Sequence, residues 1–473
     1  MKNVIHWFRR DLRITDNTAL SAAAEKSEAV TPVYILSDWR LNHRWTGPNR
    51  QEFLCGCLAA LSGNLTTIGG RLIVRQGDAV EELERLAIET KAGAIFFNRD
   101  VDPFGRETES RVIEMARRIG IEAHSSKDIC IHEGREVLTG AGDSFRVFTP
   151  YSRAWQKLPK PSIQPALRSL RTPAGISSLD LPTPATWSLP AGASGIVEPG
   201  ERAARARMRK FVSDGIAAYG TGRDLPGGDS TSRLSQDLRF GLLSIRELHQ
   251  LCLAAEEALP AAGRESARKF VAELIWREFY MQVLWCFPDV LDNEFQARFR
   301  GMHWPGNKLD FPRWCRGETG FPIVDAAMRE LAQTGFMHNR GRMITAMFLT
   351  KDLHLDWRLG EQWFMQTLVD GEIASNNGGW QWSAGTGADA APYFRIQNPW
   401  TQTKRYDPEG KYIKKWVPEL HDVPAARLCE PPVDGQSLAK AYPAPIVDHS
   451  VARDATLDLF SRYPKVTEAR DLN

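Results

Sequence analysis

The first 130 residues alternate short apolar runs with helical patterns, and no other feature of the chain restricts its folding more. Val4–Phe8, Pro32–Leu36, Leu72–Val74 and Ala94–Phe97 read as strands. Between them, Asp16 and Asn17 can cap a helix reaching about Lys26, and Pro48–Leu61, Asp78–Glu89 and Arg106–Ile119 read as three more helices. Strands alternating with helices predict a parallel, doubly wound sheet. Ligands on such a sheet sit beyond the carboxyl ends of its strands. No Gly-x-Gly-x-x-Gly follows the first strand, which argues against a nicotinamide redox enzyme.

The alternation stops at a proline-rich stretch. Residues 157–200 hold eight of the 28 prolines and little periodicity. Residues 131–200 are therefore assigned to a connection that runs over the surface between two lobes. From Glu201 onward the patterns are mostly helical: 201–219, 244–258, 264–287, 322–334, 338–350 and 359–369. The predicted organisation is an α/β domain over 1–130, the linker over 131–200 and an all-α domain over 201–473.

A content of 42% hydrophobic and 25% charged residues is ordinary for a globular protein. No apolar run is long enough to span a bilayer, and Met1–Arg10 does not read as a signal peptide, so a cytoplasmic location is expected. The seven scattered cysteines form no Cys-x-x-Cys pair, which predicts free thiols and no metal site. Net charge is only +2, so any nucleic-acid contact must come from a local basic face.

Chemistry concentrates in the helical half, where ten of the 15 tryptophans lie after residue 270. The run Asp370–Trp382 packs two acids, two adjacent amides, Gly378-Gly379 and two indoles into thirteen residues. That mixture reads as too polar for a core helix and too aromatic for a solvated loop. It suits a pocket that hydrogen-bonds a flat heterocycle and stacks other flat groups beside it. Glu273, Trp276 and Arg277 fall at helical spacing on one predicted face, as do Asn339, Arg342 and Met343. Ser230–Ser235 offers hydroxyls, amides and Arg233, chemistry suited to a diphosphate. Pro392–Arg405 interleaves aromatics, amides and bases, as unstacked nucleic acid requires.

Together these segments resemble the photolyase/cryptochrome flavoproteins, most closely the microbial class I cyclobutane pyrimidine dimer photolyases. The matching stretches are Trp7–Asn17, Thr231–Ser235, Glu273–Tyr280, Gly320–Met328, Met337–Met347 and Asp370–Pro399. The resemblance implies a Rossmann-like antenna domain joined to a helical domain that binds FAD. Cofactor contacts would come from Tyr219, Thr231, Ser232, Arg233, Leu234, Ser235, Phe270, Glu273, Arg277, Asn339, Arg342, Asp370, Gly371, Glu372 and Asn376. Glu372 departs from the family pattern, which has Asp there.

The resemblance further implies light-driven electron transfer from reduced FAD to a flipped-out dimer in UV-damaged DNA. Glu273, Asn339, Met343, Asn376, Trp276 and Trp382 would carry catalysis; Arg223, Arg340, Gln402 and Lys404, with Trp276 and Trp382, would touch DNA. Trp380, Trp357 and Trp304 match the family's electron-hopping chain. Arg50, Asp100 and Arg239 match an antenna site of the 8-hydroxy-5-deazaflavin type. Folate-binding members carry Asn-Glu where this chain has Phe104-Gly105, so methenyltetrahydrofolate is disfavoured. A monomer is expected. Two rivals are a cryptochrome photosensor, disfavoured by Asn376, and a (6-4) photolyase, disfavoured because animal-type members carry histidines at the Asn339 and Met343 positions.

Overall fold

The structure, a computed structural model, describes residues 1–40, 43–190 and 192–463; the last ten residues of the predicted helical domain lie outside the described residues. Five strands form one sheet: β1 Val4–Phe8, β2 Val30–Leu36, β3 Ile73–Gln76, β4 Ala94–Asn98 and β5 Glu122–Ser126. Their order is β3-β2-β1-β4-β5 and every pairing is parallel. The order reverses between β1 and β4, which opens a crevice at the carboxyl ends of those two strands. Strands β1 and β4 are buried along their whole length, hence their continuous apolar runs. The fifth strand is absent from the sequence reading because Glu-Ala-His-Ser-Ser at the sheet edge is polar and only partly buried.

The linker hugs the first lobe before it crosses to the second. Leu170 N–H donates to Ile68, Leu179 N–H to Val74, and Gly195 N–H to Gln333 in the helical half. Residues 131–200 also contain a helix, Phe148–Lys157, packed on the long helix Ala261–Cys286.

Two differences in the helical lobe have clear causes. The helix expected over 201–219 is Glu201–Lys210, after which a π-helical turn, Phe211–Gly215, breaks the register. More consequential is Asp370–Trp382. It was expected to be too polar for a core helix, yet Ile373–Ala384 is one, capped by the Glu372 carboxylate accepting from Ser375 N–H. Its polar face is buried because its amides are satisfied: Asn377 and Gln381 each donate to the Val290 carbonyl, at 3.0 and 2.9 Å. Gly378 does not break the helix; it admits the Tyr280 ring, which a Cβ there would meet at 2.1 Å.

Two main hydrophobic cores result, beside a third on the other face of the sheet and a small fourth. The larger runs from the sheet through Phe53 and Phe240 into Phe270 and Phe279; the second gathers Trp314, Leu349, Trp357, Phe364, Trp380 and Trp400. Helix Ile373–Ala384 bridges them, with Ile373 and Ala374 in the first and Trp380 and Ala384 in the second. Among the described residues, no helix is long and apolar enough to cross a membrane.

Candidate functional site

Three helices meet at the seam between the cores. Helix Ile373–Ala384 packs against both Ala261–Cys286 and Asn339–Met347. The first supplies Asn376, Trp380 and Trp382, the second Glu273, Trp276 and Arg277, the third Asn339, Arg340, Arg342 and Met343.

On the long helix, the Glu273 carboxylate accepts from Arg223 at 2.7 Å, and the Arg223 guanidinium lies over the Tyr219 ring. Tyr219 packs edge-on against buried Phe270 at 5.2 Å. Trp276 is half-buried and stacked flat on Phe148, centroids 3.7 Å apart and planes 6° from parallel. Phe148 had no sequence signal, because it belongs to the connecting segment. Arg277 turns away from Glu273 and donates to the Ile129 carbonyl at 2.7 Å, so helical spacing alone overstated how far the three act as one wall.

On the third helix, Arg342 donates to Asp370 Oδ2 at 2.8 Å and to the Met337 carbonyl at 2.8 Å. Asp370 is buried and its Oδ1 has no protein partner. The helix starts on His338, whose ring nitrogen accepts from Arg340 N–H. Burial, then the Arg340 and Arg342 charges, push His338 down to about 4, so it caps as a neutral imidazole. Asn339 Nδ2 and Arg340 both lie against the Met343 sulfur, at 3.9 and 3.7 Å. Arg340 also pairs with Asp224 and covers the Tyr406 ring at 4.3 Å. That contact brings helix Pro399–Tyr406, with Gln402 and Lys404, beside the site.

The loop before helix Ser235–Arg239 approaches the same region. Arg233 adopts a left-handed φ of 52° and stacks over Phe336 at 3.7 Å, with its Nε buried and unpartnered. Arg233, Gln236, Phe336 and Asp370 line one cleft, flanked by half-buried Thr231 and Ser232, buried Leu234 and exposed Ser235.

Asn376 donates to the Glu361 carbonyl at 3.0 Å. Trp380 is buried with its N–H unpartnered, and Gly360 is required beside it, since a Cβ there would fall 2.0 Å from the indole. Trp382 is half-buried, and its carbonyl accepts from Ala391 N–H of the loop that follows. Trp357 is fully buried and donates to Glu294; Trp304 is half-buried, edge-on to Phe460 at 6.3 Å.

The residues matched to an antenna site lie elsewhere, at the strand-order reversal. Arg10 follows β1 and Asp100 follows β4; they pair at 2.8 Å. Arg10 reaches on to Glu372 at 3.2 Å, tying the sheet to the cap of helix Ile373–Ala384. Arg10 escaped the sequence reading, although its place just after the first strand was a usable signal. Burial opposes ionisation of Glu372, yet Arg10, Arg277 and Arg239 hold its carboxyl below the usual range. Gly371 O accepts from Arg50 at 2.5 Å and from Arg239 at 3.0 Å. Arg50 donates further to the Trp45 and Met365 carbonyls. Gly105 opens here too: a Cβ would fall 2.5 Å from that of Asp100, so the present backbone has no room for a glutamate at 105. All seven cysteines are free, and no cluster of three or more potential metal ligands occurs among the described residues.

A parallel-sheet lobe, a helical lobe, and a cleft lined by Asp370 and Arg233, each with an orphaned buried polar atom, fit a bound dinucleotide flavin. This is the architecture of a two-lobed flavoprotein. A family model described as the FAD binding domain of DNA photolyase matches residues 270–462, and one described as DNA photolyase matches residues 4–169. The chain is 38% identical over 472 residues to the deoxyribodipyrimidine photo-lyase of a Synechococcus species, covering 97% of this chain and 96% of that one. A crystal structure of a class III photolyase from Agrobacterium tumefaciens superposes with a TM-score of 0.91 at 37% identity, covering 98% of each chain. An archaeal photolyase from Sulfolobus tokodaii, solved with two FAD molecules, superposes with a TM-score of 0.84 at 30% identity, covering 97% of this chain and all (100%) of that one. The chain is an enzyme of the DNA photolyase family.

Proposed function

We propose that this protein repairs cyclobutane pyrimidine dimers in DNA under light, with FAD in the seam between the two cores and the dimer flipped against it. The carrying observation is the direct packing of the helix bearing Asn376 and Trp382 on the helix bearing Glu273 and Trp276, with Gly378 seated against the Tyr280 ring.

The chain's own groups divide the work. The Thr231–Ser235 loop offers backbone amides and Arg233 to the diphosphate. Arg342 and Asp370, joined at 2.8 Å, present a fixed charge pair beside the ring system, with Asn376 near it. When bound, reduced FAD supplies one electron to the lesion under light and recovers it after the ring splits. Trp276, already held flat by Phe148, and Trp382 form the aromatic walls for the extruded base pair. Glu273 meets the pyrimidine edges, while Asn339 and Met343 close the floor. Arg223, Arg340, Gln402 and Lys404 hold the flanking backbone. Trp380, Trp357 and Trp304 carry electrons inward from the surface.

At the sheet's switch point, an antenna chromophore of the 8-hydroxy-5-deazaflavin type fits the chain better than methenyltetrahydrofolate. Arg50 and Arg239 stand in that crevice beside the pairs that Arg10 makes with Asp100 and Glu372, and Gly105 leaves no space for the folate-binding glutamate. The enzyme acts in the cytoplasm as a monomer; sedimentation of a stable dimer at micromolar concentration would overturn the second point.

The decisive experiment is anaerobic repair of defined oligonucleotides carrying one cyclobutane dimer or one (6-4) product. Light-dependent loss of the cyclobutane dimer alone is expected. No light-dependent repair, or repair of the (6-4) product instead, would exclude the proposal.

A further inference from the structure

The ring contacts of Trp380 are with Phe364 and Trp314. The Trp380 indole meets Phe364 at 5.0 Å and Trp314 edge-on at 6.0 Å. Trp314 is fully buried and lies 5.8 Å from Phe311, with the planes 20° from parallel. Phe311 in turn meets Trp363 at 6.5 Å, and both of these rings are half-buried. A line of touching aromatics thus joins the buried indole at the flavin seam to an indole near the surface.

We propose that Trp314 and Trp363 form a second electron entry to Trp380, branching from the chain assigned to Trp357 and Trp304. The inference rests on the proposed flavin site. An electron lost from Trp380 to photoexcited oxidised flavin leaves an indole cation. Trp314 fills it with one electron, and Trp363 refills Trp314. Phe311 bridges the last step without being oxidised, because benzene rings give up electrons far less readily than indoles. An external thiol restores Trp363 and is itself oxidised by one electron. The sum is one electron moved from thiol to flavin. No proton needs to move at Trp314, whose N–H donates to the Thr345 carbonyl at 3.1 Å, a neutral acceptor that cannot take it. The Trp363 N–H likewise has no protein partner to capture its proton. A purely structural role for these rings would leave all of this chemistry silent.

The test uses the flavin-loaded full chain, illuminated with dithiothreitol, in variants whose bound flavin and circular dichroism match the unaltered enzyme. Trp380→Phe is expected to abolish light-driven reduction of oxidised flavin. Trp304→Phe is expected to lose only part of it, and Trp304→Phe/Trp363→Phe all of it. A separate readout is peptide mass spectrometry after illumination in air without thiol: oxidised Trp363 should accumulate, more so in Trp304→Phe, and vanish in Trp380→Phe. Complete loss in Trp304→Phe alone, an unchanged residual rate in the double variant, or unoxidised Trp363 would each overturn the branch. A chain that binds no flavin would overturn the site reading instead, so the two failures are distinct.

Discussion

At the switch point of the sheet, Arg10, Asp100, Arg239 and Glu372 find their partners within the protein, and Arg50 is held by three backbone carbonyls, with its Nε alone left unpartnered. At the seam between the cores, Asp370 Oδ1, Arg233 Nε and Trp380 Nε1 are buried without any. Both regions bury charge, yet they answer its desolvation cost differently. The first nearly closes a network between lobes, which fixes how the sheet sits on helix Ile373–Ala384. The second holds hydrogen-bonding capacity that no protein group completes. A nearly closed network favours a clamp, with Arg50 Nε left for the antenna chromophore proposed there, and an open one favours the larger binding site.

The largest test of this contrast falls on the open side. Arg342→Ala strips buried Asp370 of its charge partner and is expected to abolish flavin retention and cost about 3 kcal/mol in urea unfolding. Retained flavin with unchanged stability would show that the pair is not an anchor.

Lys351 sharpens the contrast as a buried amine with no acid among its hydrogen bonds. It donates to the Tyr393 carbonyl at 3.1 Å and sits 4.4 Å from the Phe460 ring centre. Burial pushes it down to about 7 from the usual 10.5. In that window the unfolded chain holds a proton that the folded one lacks, so this site's contribution to stability falls as pH drops from 10.5 to about 7. Between pH 7 and 9 the stability gap between the unaltered chain and Lys351→Met is expected to shift by about 2 kcal/mol in favour of the unaltered chain. A gap independent of pH would mean the amine stays charged.

Glu273→Ala comes next. It frees Arg223 and is expected to weaken lesion binding about tenfold, or about 1.4 kcal/mol, with flavin content unchanged. Equal lesion affinity in a filter-binding titration would remove Glu273 from the site. The smallest effect belongs to the closed side. Glu372→Asp shortens the reach to Arg10 by one methylene and is expected to cost about 1 kcal/mol of stability while flavin stays bound. An unaltered unfolding midpoint would mean that the Arg10–Glu372 contact does not clamp the lobes.

Much of the fold was legible because burial leaves a period in the sequence. Strands β1, β2 and β4 are largely apolar runs, as is the first half of β3, and the helix Pro322–Thr334 carries an apolar stripe that placed both of its ends. Where burial and polarity part company, the period disappears. The edge strand β5 is polar, and helix Ile373–Ala384 buries amides rather than aliphatics, so neither shows the pattern of its element. The candidate site residues were named by motif, but motif says nothing of direction. Arg277 faces the Ile129 carbonyl, and Trp276 lies on Phe148 from a segment that offered no chemistry of its own.

From residue order alone came the parallel α/β lobe, the proline-rich crossing, the helical remainder and the residue types suited to a flat heterocycle, since local periodicity and chemical character are carried by neighbours in the chain. Only the tertiary structure settled that Arg10 reaches Glu372 across 362 positions, that Gly378 makes room for Tyr280, and that Trp380 touches Trp314. Those contacts depend on how helices pack and on which polar atoms find partners, and both are set by space shared between segments far apart in sequence.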